Sequence, residues 1–409
     1  MLTKPTPNQK SIKGTITLNG SKSISNRLLI MQALAADAFQ LKGLSNAKDT
    51  VVLASLLNKI DEPLLDAGEA GTTYRFMTAY LAWMGNNQVL MGNKRMCERP
   101  IGVLVEALNS LGAQIQYVGK KGYPPLQMKG HCTGSWKRRV TIGAHVSSQF
   151  ISALLLLAPV LPQGIELILE GKIISRPYIQ MTLNLMEEFG IVYLWHDDMI
   201  KIPPQEYVAK PFVVEADWSA ASYYYSLVAL AEEASVQLNG LYANSVQGDA
   251  VLVDLMQQFG VVTTYNEKGI LLTKEKVEIT HFEYDFSDCP DIAQTLAVLC
   301  AALNVNARLT GLETLTIKET DRIAAIKTEL EKMGAVVDTT ADTLWIKKGI
   351  ANFNEVPTIA TYKDHRMAMA FAPLGLFFEK MIVENPKVVE KSYPDFWRDF
   401  AVLGMGGYE

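Results

Sequence analysis

The residues of this 409-residue chain that are best suited to chemistry lie at the starts of apolar helical segments. In GSKSISNR, the residues Lys22, Ser23 and Arg27 stand where a helix is predicted to begin. The first turn of a helix carries unpaired N–H groups and the positive end of the helix dipole, so it could hold a phosphate or a carboxylate between the two cations. The alternative interpretation is a serine cap beside two solvated cations.

The same residue types recur at other predicted helix starts. The segments EAGTTYR, CERPIG, VSSQF and ISRPYI each open a helical pattern with small, polar or basic residues. The residues concerned are Gly71, Thr72, Arg75, Arg99, Ser147, Ser148, Gln149, Ser175 and Arg176. Because helix starts attract anions, the recurrence favours a shared role in anion binding over coincidence.

Two later segments concentrate charge. IKETDR holds a lysine, two acids and an arginine within five positions, for which a solvated helix start with ion pairs is the alternative interpretation. KDHRMAMAF places four polar residues before an apolar helix that should be buried, where charges need partners or a ligand. The residues are Lys318, Glu319, Asp321, Arg322, Lys363, Asp364, His365 and Arg366.

Two single residues leave alternatives open. Asp291 stands at the start of DIAQTLAVLCAAL and is either a helix N-cap or a general base. His365 is either a structural histidine or part of a site, and its charged neighbours favour a site.

A repeat in the hydrophobic pattern must position these residues. Six apolar helical candidates are anchored at Ser25, Thr72, Ser148, Ser219, Asp291 and His365, and their separations are 47, 76, 71, 72 and 74 residues. Most repeats add a second, amphipathic helix that ends in a glycine, followed by short β-rich stretches. The pattern predicts an α/β fold of six units with inward helices and outward sheets, whose first unit is truncated. Generic α/β segments with accidental spacing are the alternative.

Composition and motifs exclude several classes of function. Lys and Arg number 38 against 43 Asp and Glu, so no global positive field would hold nucleic acid or an anionic membrane. The longest apolar run, 151–161, is too short to span a membrane, and the N-terminal decapeptide lacks the apolar core of a secretory signal. Four unpatterned cysteines, Cys97, Cys132, Cys289 and Cys300, favour a cytoplasmic protein, and no zinc, P-loop or dinucleotide motif is present.

Ten ordered motifs together resemble the EPSP synthase (3-phosphoshikimate 1-carboxyvinyltransferase) family of enolpyruvyl transferases. They are GSKSISNR, the AGT of EAGTTYR, RMCERPIG, VSSQF, SRPYI, NSVQGD, PDIA, IKETDR, DHRMAMA and EKSYPDFW. The resemblance implies an inside-out α/β fold of two domains, each with three βαβαββ units. One domain would comprise 1–19 and 218–409 and the other 20–217, with hinge crossovers near 20 and 217.

The resemblance also implies a reaction. The enolpyruvyl group of phosphoenolpyruvate would pass to the 5-hydroxyl of shikimate 3-phosphate with release of phosphate, in the shikimate pathway of aromatic amino acid and chorismate biosynthesis. The expected protein is a cytoplasmic monomer that needs no cofactor or metal and binds neither nucleic acid nor membrane. The two substrates would bring roughly five to six negative charges into one cleft, since a phosphate carries about −1.5 to −2.

Motif positions carry the family's substrate contacts to numbered residues. The contacts implied for shikimate 3-phosphate are Lys22, Ser23, Arg27, Ser147, Ser148, Gln149, Ser175, Tyr178, Asp291 and Lys318. Those implied for phosphoenolpyruvate are Lys22, Gly71, Arg99, Gln149, Arg322, Arg366 and Lys391.

The resemblance implies four catalytic residues as well. Asp291 would take the proton of the 5-hydroxyl, Glu319 and Lys22 would transfer a proton to the methylene carbon, and a tetrahedral intermediate would then expel phosphate. His365 would be a supporting hydrogen-bond partner. Because nearby cations favour an ionised carboxylate, Glu319 would need burial or substrate charge to act as an acid.

The chain departs from the family pattern at three places. Thr314 stands where an Asn is common, which leaves that contact to the sugar-acid phosphate open. Phe76 follows Arg75 where a Pro is usual, which leaves glyphosate sensitivity undetermined. The segment 49–67 is shorter than in the family and should lack part of one outer sheet.

Three rival functions remain at this point. UDP-N-acetylglucosamine enolpyruvyl transferases share fold and donor but commonly use a loop cysteine as the acid, and Cys97 is nearest to that position. A non-catalytic repeat protein that binds an anion or a partner would release no phosphate. RNA 3'-phosphate cyclases use related units, but their nucleotide motif is not seen here.

Overall fold

The computed structural model describes residues 2–3, 11–130, 136–145, 147–351, 356–378 and 380–406. Cys132 and most of the N-terminal decapeptide therefore lie outside the described residues. The chain divides into two compact units. The first, unit A, comprises Met1–Gly20 and Glu215–Glu409, and the second, unit B, comprises Ser21–Val214. The predicted domains, 1–19 with 218–409 and 20–217, and their hinge stay a prediction.

The described residues form thirteen α-helices, six in unit A and seven in unit B. They are α1 Lys22–Leu34, α2 Lys48–Asn58, α3 Gly71–Met84, α4 Lys94–Cys97, α5 Gly102–Leu111, α6 Ser148–Leu157, α7 Arg176–Glu188, α8 Trp218–Leu230, α9 Leu252–Gln257, α10 Ala293–Ala302, α11 Arg322–Lys332, α12 His365–Phe371 and α13 Phe396–Val402. Five 3-10 helices cover Ala158–Val160, Gly248–Val251, Glu313–Ile317, Ala372–Leu376 and Pro386–Lys391.

Short strands lie between the helices. In the part of the chain that the structure describes they are β1 Leu2–Thr3, β2 Ser11–Thr17, β3 Leu41–Lys42, β4 Leu64–Asp66, β5 Val89–Met91, β6 Ile115–Tyr117, β7 Leu126–Met128, β8 Arg139–Gly143, β9 Ile165–Glu170, β10 Leu194–His196, β11 Met199–Ile202, β12 Phe212–Val213, β13 Glu233–Asn239, β14 Val261–Asn266, β15 Gly269–Lys274, β16 His281–Asp285, β17 Asn306–Thr310, β18 Val336–Thr339, β19 Leu344–Lys348, β20 Thr358–Ile359 and β21 Lys380–Val383.

Four sheets share one strand order, which shows the repeat directly. Two belong to unit A, β2-β13-β15-β14 and β16-β17-β19-β18, and two to unit B, β4-β5-β7-β6 and β8-β9-β11-β10. In each, the first two strands are parallel and the remaining pairs are antiparallel. A parallel pair needs a crossover. Helices α3, α6 and α10 supply it in three of these sheets, whereas the connection from β2 to β13 contains all of Ser21–Val214 as well as α8.

The two remaining sheets are smaller. In unit B, β3 pairs with β12 in a two-stranded parallel sheet, and α2 leads straight into β4 of the next sheet. This is the truncated first unit that the short segment predicted. In unit A, β21 lies between β1, which is antiparallel to it, and β20, which is parallel.

The first helices of the repeats form the core of each unit. In unit B, α1, α3 and α6 contact one another, and in unit A, α10 contacts both α8 and α12. These helices are apolar nearly all round: nine of the ten residues of α6 and all seven of α12 are buried. A helix with no wet face has to lie inside, whereas strands such as β9 and β19 alternate buried and more exposed residues, as the faces of an outer sheet do.

Glycines end several of the second helices, as predicted. Gly190 after α7 and Gly334 after α11 have φ of 84° and 82°, the left-handed region that favours glycine. The amides that follow turn back onto the helices: Ile191 N donates to the carbonyl of Met186, and Ala335 N donates to that of Leu330. The chain can therefore leave each helix directly toward its outer sheet.

The described helices were also compared with the thickness of a membrane. No helix among these residues combines the length and the apolar character that a transmembrane span requires.

Candidate active site

The charged cluster of unit A is built around Arg322, the first residue of α11. Its side chain is 2% exposed. Nε lies 2.7 Å from Oδ2 of Asp364, Nη2 lies 2.9 Å from Oε2 of Glu319, and Nη1 lies 3.5 Å from Oδ1 of Asp291. Burial by itself would lower the pKa of Arg322, but the three carboxylates raise it above its ordinary value. The guanidinium is thus held as a cation by acids from three separate segments.

Arg366 is the second arginine of this cluster. It follows the N-cap Asp364 by two residues, and its Nη2 lies 2.7 Å from Oδ2 of Asp291. Nη1 donates to the backbone carbonyl of Asp291 at 3.0 Å and to the hydroxyl of Tyr223 at 3.3 Å. Arg366 therefore contacts both the side-chain carboxylate and the backbone carbonyl of Asp291, and this fixes the carboxylate.

Lys391 completes the set of cations. It ends the 3-10 helix Pro386–Lys391, it is 6% exposed, and its Nζ lies 2.7 Å from Oε1 of Glu319. Glu319 thus bridges Lys391 and Arg322. The shared ion pairs therefore bring together cations from α11, α12 and the 3-10 helix.

Asp364 and His365 stand at the start of α12. The Asp364 side chain accepts a hydrogen bond from the backbone N–H of Arg366 at 2.9 Å, so it caps the helix while it pairs with Arg322. Nδ1 of His365 lies 3.6 Å from Oδ1 of Asp364, and both side chains are buried. The imidazole and this carboxylate are therefore within ion-pair distance of each other at the start of α12.

The structure decides one alternative about Asp291. The N-cap position of α10 is occupied by Ile292, without a side-chain cap, and Asp291 precedes it. The carboxylate of Asp291 instead faces Arg322 and Arg366, and its side chain is 22% exposed. The N-cap interpretation is therefore wrong, and Asp291 remains a candidate for proton transfer.

A second buried carboxyl lies behind this cluster. Asp249, in the 3-10 helix Gly248–Val251, accepts a short hydrogen bond from Oγ of Ser219, whose Oγ also lies 3.5 Å from Nη2 of Arg366. Burial, reinforced by the charge of Asp291, raises the pKa of Asp249 to about 7. The sequence analysis had not assigned Asp249 to the site.

Unit B carries its own cluster at the start of α1. Lys22 is the first residue of this helix, and its Nζ lies 3.8 Å from Oδ2 of Asp49 on α2. Ser23 is half-buried beside it and offers its carbonyl to Arg27. The start of α1 thus combines a partly exposed ammonium with the amides of a first turn.

Arg27 is directed into the core of unit B. Nε donates to Thr182 at 2.7 Å, Nη2 to Ser152 and to the carbonyl of Tyr178, and Nη1 to the carbonyl of Ser23. Burial among these groups lowers the pKa of Arg27 to about 10. Arg27 therefore ties α1 to α6 and α7, and its predicted substrate contact stays a prediction.

Two arginines converge on Gly71, the first residue of α3. A Cβ atom at this position would lie 2.7 Å from Nη1 of Arg75 and 2.7 Å from Nη1 of Arg99. Nη1 of Arg75 donates to the Gly71 carbonyl at 2.8 Å, and its guanidinium lies over the ring of Phe150. A side chain at this position would fit only if the flexible ends of both arginines moved, and the close approach places two positive charges against one helix start.

The two serines of the motif VSSQF lie at the start of α6. Oγ of Ser147 accepts a hydrogen bond from the backbone N–H of Gln149 at 3.3 Å and so caps the helix, while Ser148 is buried. Nε2 of Gln149 donates to Oγ1 of Thr72 at 3.1 Å, which joins the starts of α6 and α3.

The start of α7 differs from the other helix starts. Ser175 precedes it with φ of 53° and makes no side-chain cap, and Tyr178 is half-buried. Arg176 is exposed, and its guanidinium lies 4.3 Å from the ring centroid of Trp195. The structure thus places Arg176 on a surface aromatic ring.

Three further predicted positions can be located. Lys318 follows the 3-10 helix Glu313–Ile317 and is half-buried, and Oγ1 of Thr314 in that helix is buried without a hydrogen-bond partner. Phe76 is 1% exposed and lies under Arg27, with 5.6 Å between the guanidinium carbon and the ring centroid.

Cys97 and possible metal ligands were also located. Cys97 ends α4, and burial, with the charges of Asp66 and Glu98, raises the pKa of its thiol. Within the described residues, no group of three or more His, Cys, Asp or Glu side chains is arranged to hold a metal ion.

Sequence reasoning missed several partners of the predicted residues. Asp364 and Asp49 pair with Arg322 and Lys22, and Tyr223 binds Arg366. A signal existed for Asp364, since a carboxylate before a buried helix needs a partner. The partner itself, on a helix 42 residues earlier, could not be identified from spacing.

The chain was compared with known proteins. The family model described as EPSP synthase (3-phosphoshikimate 1-carboxyvinyltransferase) matches residues 7–63 and 44–400. A 3-phosphoshikimate 1-carboxyvinyltransferase of Bacteroides fragilis strain YCH46 is 46% identical over 399 residues, which cover 97% of this chain and 96% of that protein. One from Vibrio cholerae strain M66-2 is 34% identical over 96% of this chain and 97% of its own length.

Solved structures show the same fold. An EPSP synthase from Acinetobacter baumannii matches with a TM-score of 0.78 at 22% identity, over 99% of this chain and 98% of that chain. The enolpyruvyl transferase NikO from Streptomyces tendae matches with a TM-score of 0.72 at 13% identity, over 98% and 97%. The family model spans most of the chain, and a relative of similar length is 46% identical to it, so this chain belongs to the EPSP synthase family.

Proposed function

We propose that this protein transfers the enolpyruvyl group of phosphoenolpyruvate to the 5-hydroxyl of shikimate 3-phosphate and releases phosphate. The step belongs to the shikimate pathway of aromatic amino acid biosynthesis. The observation that carries the proposal is the 46% identity, over 97% of the chain, to a 3-phosphoshikimate 1-carboxyvinyltransferase. The clusters of unit A and unit B supply the cations that two acidic phosphate esters require.

The cluster of unit A suits the phosphoenolpyruvate end of the reaction. Arg322, Arg366 and Lys391 are buried or nearly so, and each now faces a carboxylate of the chain itself. An incoming phosphate or carboxylate would replace these side-chain acids on the cations. The exchange would release Asp291 from Arg366 and Glu319 from Lys391, which couples substrate binding to the freeing of the acid–base groups.

Asp291 is the proposed base for the 5-hydroxyl proton. Its carboxylate is partly exposed and is oriented by two arginines, so it can reach a ligand without moving its backbone. His365, which lies beside Asp364, is the proposed supporting hydrogen-bond partner.

Glu319 and Lys22 are the proposed pair for protonation of the methylene carbon. The ion pairs of Glu319 with Arg322 and Lys391 stabilise its carboxylate form. Glu319 therefore becomes an acid only when substrate charge occupies these two cations. Addition of the 5-hydroxyl then gives a tetrahedral intermediate. The C–O bond to phosphate breaks with the electron pair leaving on the phosphate oxygen, and the new methyl group returns one proton to this pair, which re-forms the C–C double bond.

Unit B supplies the remaining proposed contacts. Lys22, Gly71, Arg99 and Gln149 would bind phosphoenolpyruvate. Shikimate 3-phosphate would contact Lys22, Ser23, Arg27, Ser147, Ser148, Gln149, Ser175 and Tyr178, together with Asp291 and Lys318 of unit A. The capped start of α6 and the arginine pair at Gly71 are features that stabilise anions.

The working form of the protein is part of the same proposal. We propose a cytoplasmic monomer that needs no cofactor, since the reaction exchanges C–O bonds without a change in redox state. Light scattering of the purified protein would test the monomer, and a mass of twice 45.2 kDa would contradict it.

Phosphate release is the direct test of the function. Purified protein is incubated with phosphoenolpyruvate, with and without shikimate 3-phosphate, and both phosphate and the enolpyruvyl ether are measured. We expect both products only when the two substrates are present. Equal release in both mixtures would indicate a phosphatase, and no release would favour a binding protein. Turnover with UDP-N-acetylglucosamine that is lost on thiol alkylation would favour the rival transferase that uses Cys97.

A further inference from the structure

A strained turn lies directly before the charged start of α12. Its residues Tyr362 and Lys363 have φ of 52° and 58°, which is uncommon for residues other than glycine. The turn ends at Asp364, whose backbone N–H donates to the carbonyl of Thr361 at 2.8 Å. Because Asp364, His365 and Arg366 follow at once, the conformation of this turn sets where their side chains point.

A buried carboxylate of α11 accepts hydrogen bonds from the turn and from the segment before it. The side chain of Glu329 is 0% exposed. Its Oε1 accepts a hydrogen bond from the hydroxyl of Tyr362 at 2.6 Å, and its Oε2 accepts one from the backbone N–H of Ala360 at 3.2 Å. Lys332 balances the charge from the next turn of the helix, with Nζ 2.7 Å from Oε1. A buried ionised group with this many donors is strongly oriented.

The same helix holds the other end of the turn through Arg322. Glu329 follows Arg322 by seven residues, two helical turns, so both side chains project from one face of α11. Arg322 binds Asp364, and Glu329 binds Ala360 and Tyr362. Helix α11 therefore fastens the turn at two points, one of which lies in the proposed site and one outside it.

The segment that leads into the turn has open space on one side. A cavity of about 330 Å³ borders this segment and is lined by Glu329, Lys332, Pro357, Thr358 and Ile359. Room on this side allows the segment to shift once the bonds to Glu329 are lost. Positive φ at two successive residues would then relax, and the start of α12 would move with the turn.

We propose that Glu329, acting through Tyr362, is a positioning residue that sets the orientation of Asp364, His365 and Arg366 for the reaction. The inference rests on the proposed function for its kinetic consequence, but the mechanical claim stands on the contacts of α11 alone. Glu329 touches no substrate in this proposal. Its effect reaches the reaction through the turn.

The test compares two variants with matched controls. Glu329→Gln keeps the side-chain volume but removes the charge, and Tyr362→Phe removes one hydroxyl from a side chain that is 37% exposed, so this variant should fold even if the first does not. The controls are Glu331→Gln, an exposed carboxylate of the same helix, and Tyr242→Phe, an exposed tyrosine. Kinetics with both substrates and hydrogen–deuterium exchange of residues 358–366 are measured on the full chain.

We expect both test variants to lower kcat/KM for phosphoenolpyruvate by roughly 10- to 100-fold, since small displacements of catalytic groups have effects of this size. KM for shikimate 3-phosphate should change less than twofold, and exchange in 358–366 should accelerate. Controls should match the wild type. Wild-type kinetics in Tyr362→Phe, or equal losses for both substrates, would overturn the proposal. If the wild type itself shows no turnover, the proposed function fails, and unchanged exchange in Glu329→Gln would separately overturn the positioning role.

Discussion

Arg27 in unit B and Arg322 in unit A are equally buried, at 2% exposure, yet their environments act on them in opposite directions. Arg27 is surrounded by hydroxyls, carbonyls and a phenyl ring, and its pKa falls to about 10. Arg322 is buried as well, but it faces Asp364, Glu319 and Asp291, and its pKa rises. An arginine side chain therefore links helices through neutral hydrogen bonds in unit B, whereas in unit A it is the centre of an ion-pair network.

The difference extends to the clusters around them. In unit A, the cations Arg322, Arg366 and Lys391 each lie against a carboxylate of the chain. In unit B, Arg75 and Arg99 converge on a helix start and a backbone carbonyl. In unit A a ligand would therefore have to displace acids of the chain from these cations, whereas in unit B two arginines meet at a helix start. The following predictions test this division.

The largest expected effect is on the proposed base. Asp291→Asn keeps the shape of the side chain but removes the proton acceptor, so kcat should fall by roughly two to four orders of magnitude. Steady-state phosphate release measures this, and thermal unfolding should show a folded protein. Asp288→Asn, the same change at an exposed position three residues earlier, is the control. Near-normal turnover in Asp291→Asn would show that Asp291 is not the base.

Replacement of the two buried arginines should lower the free energy of unfolding by different amounts. Arg322→Met leaves Asp364, which is 0% exposed, without its principal cation, and breaking a buried pair in this way costs about 3–5 kcal/mol. Arg27→Met leaves only neutral hydroxyls and carbonyls unsatisfied, at about 1–3 kcal/mol. Urea unfolding of both variants and the wild type gives the two losses. Equal losses would show that the carboxylates of unit A do not distinguish the two sites.

A smaller effect should appear in the binding of substrate by unit B. Gly71→Ala places a methyl group 2.7 Å from the guanidinium nitrogens of Arg75 and Arg99, and these flexible ends must move away. We expect KM for phosphoenolpyruvate to rise roughly tenfold, about 1.4 kcal/mol, with kcat within about threefold of wild type. Gly119→Ala, where the added atom meets nothing within 4 Å, is the matched control. A fall in kcat alone would contradict the assignment of unit B to binding.

The last prediction concerns a slope rather than a single loss, the pH dependence of stability in unit A. Burial raises the pKa of Asp249 to about 7, against about 3.9 in an unfolded chain. Between these values the folded state holds a proton that the unfolded state has lost, so stability should fall as pH rises from about 4 to about 7, by at most about 1.4 kcal/mol per pH unit. Asp249→Asn should remove this component. Urea unfolding across that range measures it, and parallel curves for variant and wild type would refute the raised pKa.

Much of the fold could be predicted from the sequence because buried helices and strands require a periodic pattern of apolar residues. The six apolar helices are present, and α3 begins at Gly71, as its pattern indicated. Two predicted helices, those after Ser147 and His365, end as 3-10 helices at Ala158–Val160 and Ala372–Leu376, and each of these contains a proline. The hydrophobic pattern does not report this change of helix type.

The site was less predictable, because charge pairing depends on tertiary contacts. Spacing identified Glu319 and Arg322 as neighbours, but Lys391 reaches Glu319 from 72 positions further along the chain. Asp249 ends the motif NSVQGD, and only its burial in the structure shows that its pKa is raised. Arg27 stood in an anion-binding pattern, yet its guanidinium turns inward to Thr182 and Ser152.

The pairing of β2 with β13 has a consequence for synthesis of the chain. Ser11–Thr17 is made before the whole of unit B, but its parallel partner, Glu233–Asn239, is made after it. At roughly 5–20 residues per second, a ribosome needs about 10–40 s to produce the intervening stretch. During that interval all of Ser21–Val214 is made, while β2 of the other unit still lacks its parallel partner and stays open to chaperones or to neighbouring chains.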